Sequence, residues 1–316
     1  MAAKIRQSAN YLQIMLLNSE NIILERLEND LFVRKQIKLS VLRLDKIHPV
    51  ISGNKLFKLH YFLQEANNST HKTIITFGGP YSNHLSATAY ACKLSGLKSI
   101  GIVRGEKPQQ LSHTLQQCIA DGMHLHFISR ELYAQKKALS FAQRLTMQFG
   151  EHILIPEGGY HPLGAKGASM IIQFLANSNA THICSAIGTA TTIAGLLLGC
   201  KANQQIIGVS VLKGMTNIQE DISAIINTTS DLKQLTILND YHFGGYAKKT
   251  PELISFMNDL YDQYQLPTDF VYTGKLMYGI IDSIKKDIFK PGSDIVCVHT
   301  GGLQGNVSLP SGTLIF

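Results

Sequence analysis

The chain has 316 residues, of which 45% are hydrophobic and 16% charged, with a formal net charge of +7. It has room for two domains or one large one, is too apolar for a disordered chain, and offers no uninterrupted apolar run of 18 residues to span a membrane. The lysines are scattered, with short runs such as Lys248-Lys249 and Lys285-Lys286 and no interleaved aromatics. The charge therefore reads as a solvated surface that attracts anionic small molecules, not as a nucleic-acid interface. Cys92, Cys118, Cys184, Cys200 and Cys297 lie far apart without a CxxC pair. They read as reduced thiols, with no metal site. Residues 1–18 carry no secretory pattern, and a cytoplasmic location is expected.

Residues 21–39 mix polar and apolar positions and are expected to cover a domain edge. A strand is predicted over 41–44, a loop containing Pro49 over 45–53, and a helix over 55–67, where Leu56, Leu59, Phe62, Leu63 and Ala66 recur at helical spacing. The β-branched run from Thr73 to Phe77 predicts a buried strand. Further helices are predicted over 82–94, 112–120, 130–149, 164–176, 191–200, 217–227, 251–264 and 274–287. Further strands are predicted over 99–104, 124–128, 152–155, 182–187, 205–211 and 294–299. This alternation implies parallel sheets covered by helices on both faces. The glycines of Glu157-Gly158-Gly159 mark a candidate domain boundary.

Four stretches carry chemistry. Ser52-Gly53-Asn54-Lys55 sets a lysine at the start of an amphipathic helix, behind a small flexible loop. That setting suits covalent capture of an aldehyde, because burial lowers a lysine pKa from about 10.4 and supplies the neutral amine. Lys58, one turn on and on the same face, is either a phosphate partner or a surface charge. In Phe77-Gly78-Gly79-Pro80-Tyr81-Ser82-Asn83-His84 a strand runs through a glycine turn into a helix. Ser82 and Asn83 are N-cap types, and the free amides of a helix start also bind carboxylates. His84 could relay a proton, hold a carboxylate or sit on the helix surface. Gly188-Thr189-Ala190-Thr191-Thr192 joins a strand to a helix, so its amides and hydroxyls can cradle a phosphate; it is neither a Walker loop nor a GxGxxG turn. Tyr272-Thr273-Gly274-Lys275 opens another helix, with Tyr246 lying 26 residues before Tyr272. Two phenols there could move protons, orient a substrate, or simply be core aromatics.

From about Arg43 to Gly302 these stretches together resemble the 1-aminocyclopropane-1-carboxylate deaminase and D-cysteine desulfhydrase family of pyridoxal-phosphate enzymes, of the tryptophan-synthase-β fold. The resemblance implies an α/β protein of two three-layer α/β/α domains with mostly parallel sheets. A small domain over 50–155 would be inserted into a large cofactor-binding domain made of 1–49 and 156–316. The resemblance further implies pyridoxal 5'-phosphate held by Lys55, with Lys58, Gly188, Thr189, Ala190, Thr191 and Thr192 at its phosphate. Asn83 would meet the ring hydroxyl oxygen and Thr273 would face the ring nitrogen. Ser82, Asn83 and His84 would bind a small amino-acid substrate; Lys55, Ser82, Tyr246 and Tyr272 would be catalytic. A homodimer is implied as well.

Two departures from the family pattern matter. Ala190 and Thr191 stand where glycines are frequent, so their side chains must point away from the phosphate or the cradle is looser. Thr273 stands where the deaminases carry glutamate. A carboxylate keeps the ring nitrogen protonated, whereas threonine offers only a hydrogen bond. The weaker electron sink suits loss of an α-proton and a thiolate better than opening of a cyclopropane. The expected activity is that of a lyase taking D-cysteine to pyruvate, hydrogen sulfide and ammonia. The alternatives are a 1-aminocyclopropane-1-carboxylate deaminase giving 2-oxobutanoate and ammonia, a synthase or dehydratase of L-amino acids, and a non-catalytic cofactor-binding protein.

Overall fold

In a computed structural model, residues 19–227 and 230–316 are described; the reading of residues 1–18 lies outside them. Among the described residues ten strands form two sheets. In chain order the strands are β1 (Leu24–Leu27), β2 (Lys38–Arg43), β3 (Thr73–Gly78), β4 (Lys98–Arg104), β5 (Met123–Ile128), β6 (Ile153–Ile155), β7 (His182–Ile187), β8 (Gln205–Ser210), β9 (Leu235–Leu238) and β10 (Asp294–His299). The six-stranded sheet runs β1-β2-β10-β7-β8-β9 and the four-stranded sheet runs β5-β4-β3-β6. Among the described residues the β1–β2 pairing is antiparallel and the rest are parallel. Every strand of the smaller sheet comes from Thr73 to Ile155, and the larger sheet takes strands from both sides of that segment.

The helices are α1 (Asp30–Arg34), α2 (Asn54–Asn68), α3 (Asn83–Ser95), α4 (His113–Ala120), α5 (Arg130–Ala134), α6 (Leu139–Phe149), α7 (Pro162–Ser169), α8 (Thr191–Gly199), α9 (Ile218–Ile226), α10 (Pro251–Tyr264) and α11 (Thr273–Lys285). Alternation along the buried strands builds the layers. Val296 and Val298 of β10 join a core with Leu56, Ala168 and Ile193 from α2, α7 and α8. Ile295 and Cys297 point the other way, into a core with Leu276, Ile280 and Ile284 of α11. In the smaller sheet Ile75 and Phe77 meet Phe141 and Leu145 of α6, while Ile74 faces the core that holds α2. Helix α2 thus lies in the seam between the sheets. Its contact with α7 is close: a Cβ on Gly167 would lie 2.0 Å from the Phe57 carbonyl oxygen.

Local expectations and structure part at the edges. The segment 21–39 contains β1, α1 and the start of β2. The single helix predicted over 130–149 is two, Arg130–Ala134 and Leu139–Phe149; in the turn between them Lys136 lies 4.5 Å from the Tyr133 ring centroid and pairs with Glu157 at 3.3 Å. The helix predicted over 164–176 becomes a 3-10 helix from Met170 to Leu175. Strand β9 was not predicted at all. Among the described residues no helix is long and apolar enough to cross a membrane.

Candidate active site

A cavity of about 500 Å³ opens where parallel strands end, the usual place for ligands in open α/β sheets. Gly79 to His84 follow β3, Arg104 closes β4, Glu157 and Gly158 follow β6, Gly188 to Ala190 follow β7, and Thr300 follows β10; all line it. Three helices, α2, α3 and α8, direct their first residues at it through Asn54 and Lys55, Asn83 and His84, and Thr192. Free amides and helix dipoles at three N-termini make an environment that favours an anion.

Lys55 reaches this space because of Gly53. Gly53 has φ 69°, and a Cβ there would lie 2.0 Å from the Thr300 carbonyl oxygen. The same oxygen accepts from the Asn54 amide at 3.4 Å and from Lys55 Nζ at 3.2 Å. The start of α2 is thus clamped to the end of β10. Burial lowers the Lys55 pKa to about 8, against the opposing pull of Asp269. Lys58 is only 6% exposed, so it is not a surface charge. Among the described residues it has no hydrogen-bond acceptor, and burial plus the nearby Lys55 lower its pKa to about 7.

Ser82 caps α3, its Oγ accepting from the Leu85 amide at 3.2 Å, which leaves its hydroxyl proton free to donate. His84 is buried. Its Nε2 lies 2.9 Å from Thr76 Oγ1, whose own proton goes to the Ile155 carbonyl at 2.8 Å. Thr76 therefore accepts, and His84 is the neutral Nε2–H tautomer with a lone pair on Nδ1. Burial, reinforced by Lys58 and Lys55, holds its pKa near 3. The loop after β7 turns at Ala190, which takes the left-handed conformation (φ 58°) where glycine costs nothing. Thr191 Oγ1 points back to the carbonyls of Thr189 and Gly158, at 3.2 and 3.4 Å.

The Tyr246 and Tyr272 rings lie 6.2 Å apart, and Lys55 Nζ lies 5.9 Å from the Tyr272 ring centre. Burial, and each phenol's effect on the other, keep Tyr272 protonated well above its ordinary pKa. Of the residues singled out from sequence, Lys55, Lys58, Ser82, Asn83, His84, Gly188, Thr189, Ala190, Thr192, Tyr246 and Tyr272 line the cavity; Thr191 and Thr273 stand behind its wall.

Asp269 was missed by sequence reasoning. It is fully buried. Its Oδ1 accepts from the Val271 and Tyr272 amides, and its Oδ2 from the Thr273 amide and hydroxyl, at 2.7–2.9 Å. An aspartate one turn before a helix start is a local capping signal that could have flagged it. Asn54 was quoted in its motif without a role. Its Nδ2 donates to Thr192 Oγ1 at 2.7 Å, tying α2 to α8, while Oδ1 is buried without a partner.

Parallel strand ends, converging helix starts and a half-buried lysine whose pKa is lowered by desolvation define an α/β enzyme with a site for a small anionic ligand. The chain belongs to the family of pyridoxal-phosphate dependent enzymes, whose profile matches residues 27–301. It is 31% identical over 270 residues (81% of this chain, 82% of the relative) to a Pyrococcus furiosus protein provisionally named a 1-aminocyclopropane-1-carboxylate deaminase. It is 30% identical over 280 residues (81% of this chain, 70% of the relative) to the mitochondrial bifunctional D-cysteine desulfhydrase/1-aminocyclopropane-1-carboxylate deaminase of Arabidopsis thaliana. Among solved structures, an ACC deaminase homologue superposes with a TM-score of 0.73 at 24% identity, covering 93% of this chain and 95% of the other. The site suits the family's cofactor. Among the described residues the half-buried Lys55 and the buried Lys58 have no anionic partner in contact, and the Asn54 and Asn83 Oδ1 atoms are buried and unpaired, as in a site built to receive a charged, hydrogen-bonding group.

Proposed function

We propose that this enzyme acts as a D-cysteine desulfhydrase, converting D-cysteine and water to pyruvate, hydrogen sulfide and ammonia. One observation carries the choice of substrate. Glu157 is the only carboxylate among the described residues lining the cavity, and it is already paired with Lys136. Thr273, where the deaminases carry glutamate, gives its hydroxyl proton to Asp269. Pyridoxal phosphate, when bound, draws electrons from the substrate's α-carbon; with no acid at its nitrogen it draws less strongly, enough for a substrate with an acidic α-hydrogen and a thiolate to lose.

In this reading Lys55 holds the cofactor and then, as a neutral amine, takes the α-proton. Ser82, Asn83 and the start of α3 bind the substrate carboxylate, with His84 Nδ1 as a further acceptor. Gly188, Thr189, Ala190, Thr192 and Lys58 receive the phosphate. Thr191 and Thr273 serve from behind the wall, one fixing the loop and the other Asp269. Tyr272 and Tyr246, both held neutral, keep a proton ready for the departing sulfur. We also propose residues 50–155 as a small domain, the remainder as a large one, a homodimeric assembly and a cytoplasmic location.

The test is to incubate the purified holoenzyme with D-cysteine, D-serine and 1-aminocyclopropane-1-carboxylate and to assay 2-oxoacid. D-Cysteine should give pyruvate, and Lys55→Ala should lower that rate by about 10³-fold or more. Borohydride reduction should add the cofactor's mass to the peptide carrying Lys55. Selective production of 2-oxobutanoate would instead establish the second reading; names of both kinds occur among the relatives.

A further inference from the structure

Lys275 is 0% exposed and does not line the cavity. Among the described residues it forms no ion pair. Its Nζ donates instead to the carbonyls of His242 and Gly245, each at 2.8 Å. A buried ammonium without a contacting carboxylate is a poor way to fill a core, where an apolar chain of similar volume serves better. What it holds is unusual backbone. Phe243, Gly244, Gly245 and Ala247 all have positive φ, at 50°, 92°, 117° and 52°. Left-handed backbone at non-glycine positions persists only when its surroundings impose it.

Two more contacts tie this segment to the same helix. The Tyr241 hydroxyl donates to Asp282 at 2.7 Å, and the Phe243 ring packs edge-on against Tyr278 at 4.9 Å. Helix α11 therefore carries Tyr272 at its N-cap and, through these anchors, Tyr246 on the neighbouring segment. We propose that Lys275 is a positioning residue: it fixes the 242–246 segment so that Tyr246 stands at the cavity mouth opposite Tyr272. The inference rests on the catalytic reading of Tyr246 given above.

The test is a double-mutant cycle on the holoenzyme with whichever amino acid it turns over, comparing wild type, Lys275→Met, Tyr246→Phe and the double variant. Tyr246→Phe is expected to lower kcat about 10-fold or more. Lys275→Met is expected to do likewise with KM and the cofactor absorbance little changed, and Lys275→Arg to recover part of the loss. The double variant should be no slower than Tyr246→Phe alone. Losses that multiply would overturn the inference while leaving the role of Tyr246 intact. An unchanged kcat in Tyr246→Phe would overturn that role first, and the inference with it. Should Lys275→Met not fold, amide exchange in the wild type decides. Residues 242–246 should open together with α11, and free exchange there over a protected α11 would refute the link.

Discussion

Three lysines, at positions 55, 58 and 275, show how burial tunes single residues. Their pKa values fall to about 8, 7 and 8, with desolvation as the largest cause in each case. The sign of the linkage follows. Between about pH 7 and 10.5 the unfolded chain holds protons that the folded chain has released, so the cofactor-free protein gains stability as the pH rises through that window. Urea midpoints of the apoprotein should climb from pH 7 to 9, and Lys58→Met should flatten the climb by up to about 1 kcal/mol per pH unit. A level or falling series would show that these amines are solvated. Lys55 could be singled out in the sequence because its motif is contiguous, and the structure places it in the cavity lining. Asp269 was overlooked although its partners at Val271, Tyr272 and Thr273 are local. The role of Lys275 was not legible, because the carbonyls of His242 and Gly245 that it holds come within reach only in the tertiary fold. Lys58 and His84 were left ambiguous for a related reason: spacing gives a face, and burial decides between surface and site.

At the level of elements, the central strands and most helices were readable because two-sided burial writes unbroken apolar runs and helix faces repeat. Short edge strands leave no such trace. β1 and β9 have four residues each, with exposed or half-buried positions, and β9 lay in a stretch assigned to nothing. The clamp between α2 and β10 shows how much one backbone position can carry. Gly53→Ala puts a methyl group inside van der Waals distance of the Thr300 carbonyl and forces an unfavourable φ. Unfolding measurements should show a loss of about 3 kcal/mol. The variant should also take up cofactor poorly, because the amine of Lys55 moves with its helix. A variant as stable as the wild type would mean that α2 can slide away from the strand end.

On the scale of the molecule, the site is assembled from segments far apart in the chain, from Asn54 to Thr300. A net charge of +7 surrounds it, a field that speeds the arrival of anionic ligands. The rhythm of strand and helix foretold parallel sheets, and the family resemblance foretold two of them. Neither foretold strand order, which depends on long-range pairing. That order places β10, the last strand, between β2 and β7. A ribosome making this protein thus releases both flanks of the larger sheet well before the strand that joins them. Nascent chains halted before Asp294 should retain no cofactor, whereas the smaller sheet, finished at Ile155, can form early. Capture of the vitamin-derived ligand then becomes a late event in the protein's maturation, one that waits for the strand uniting the two flanks.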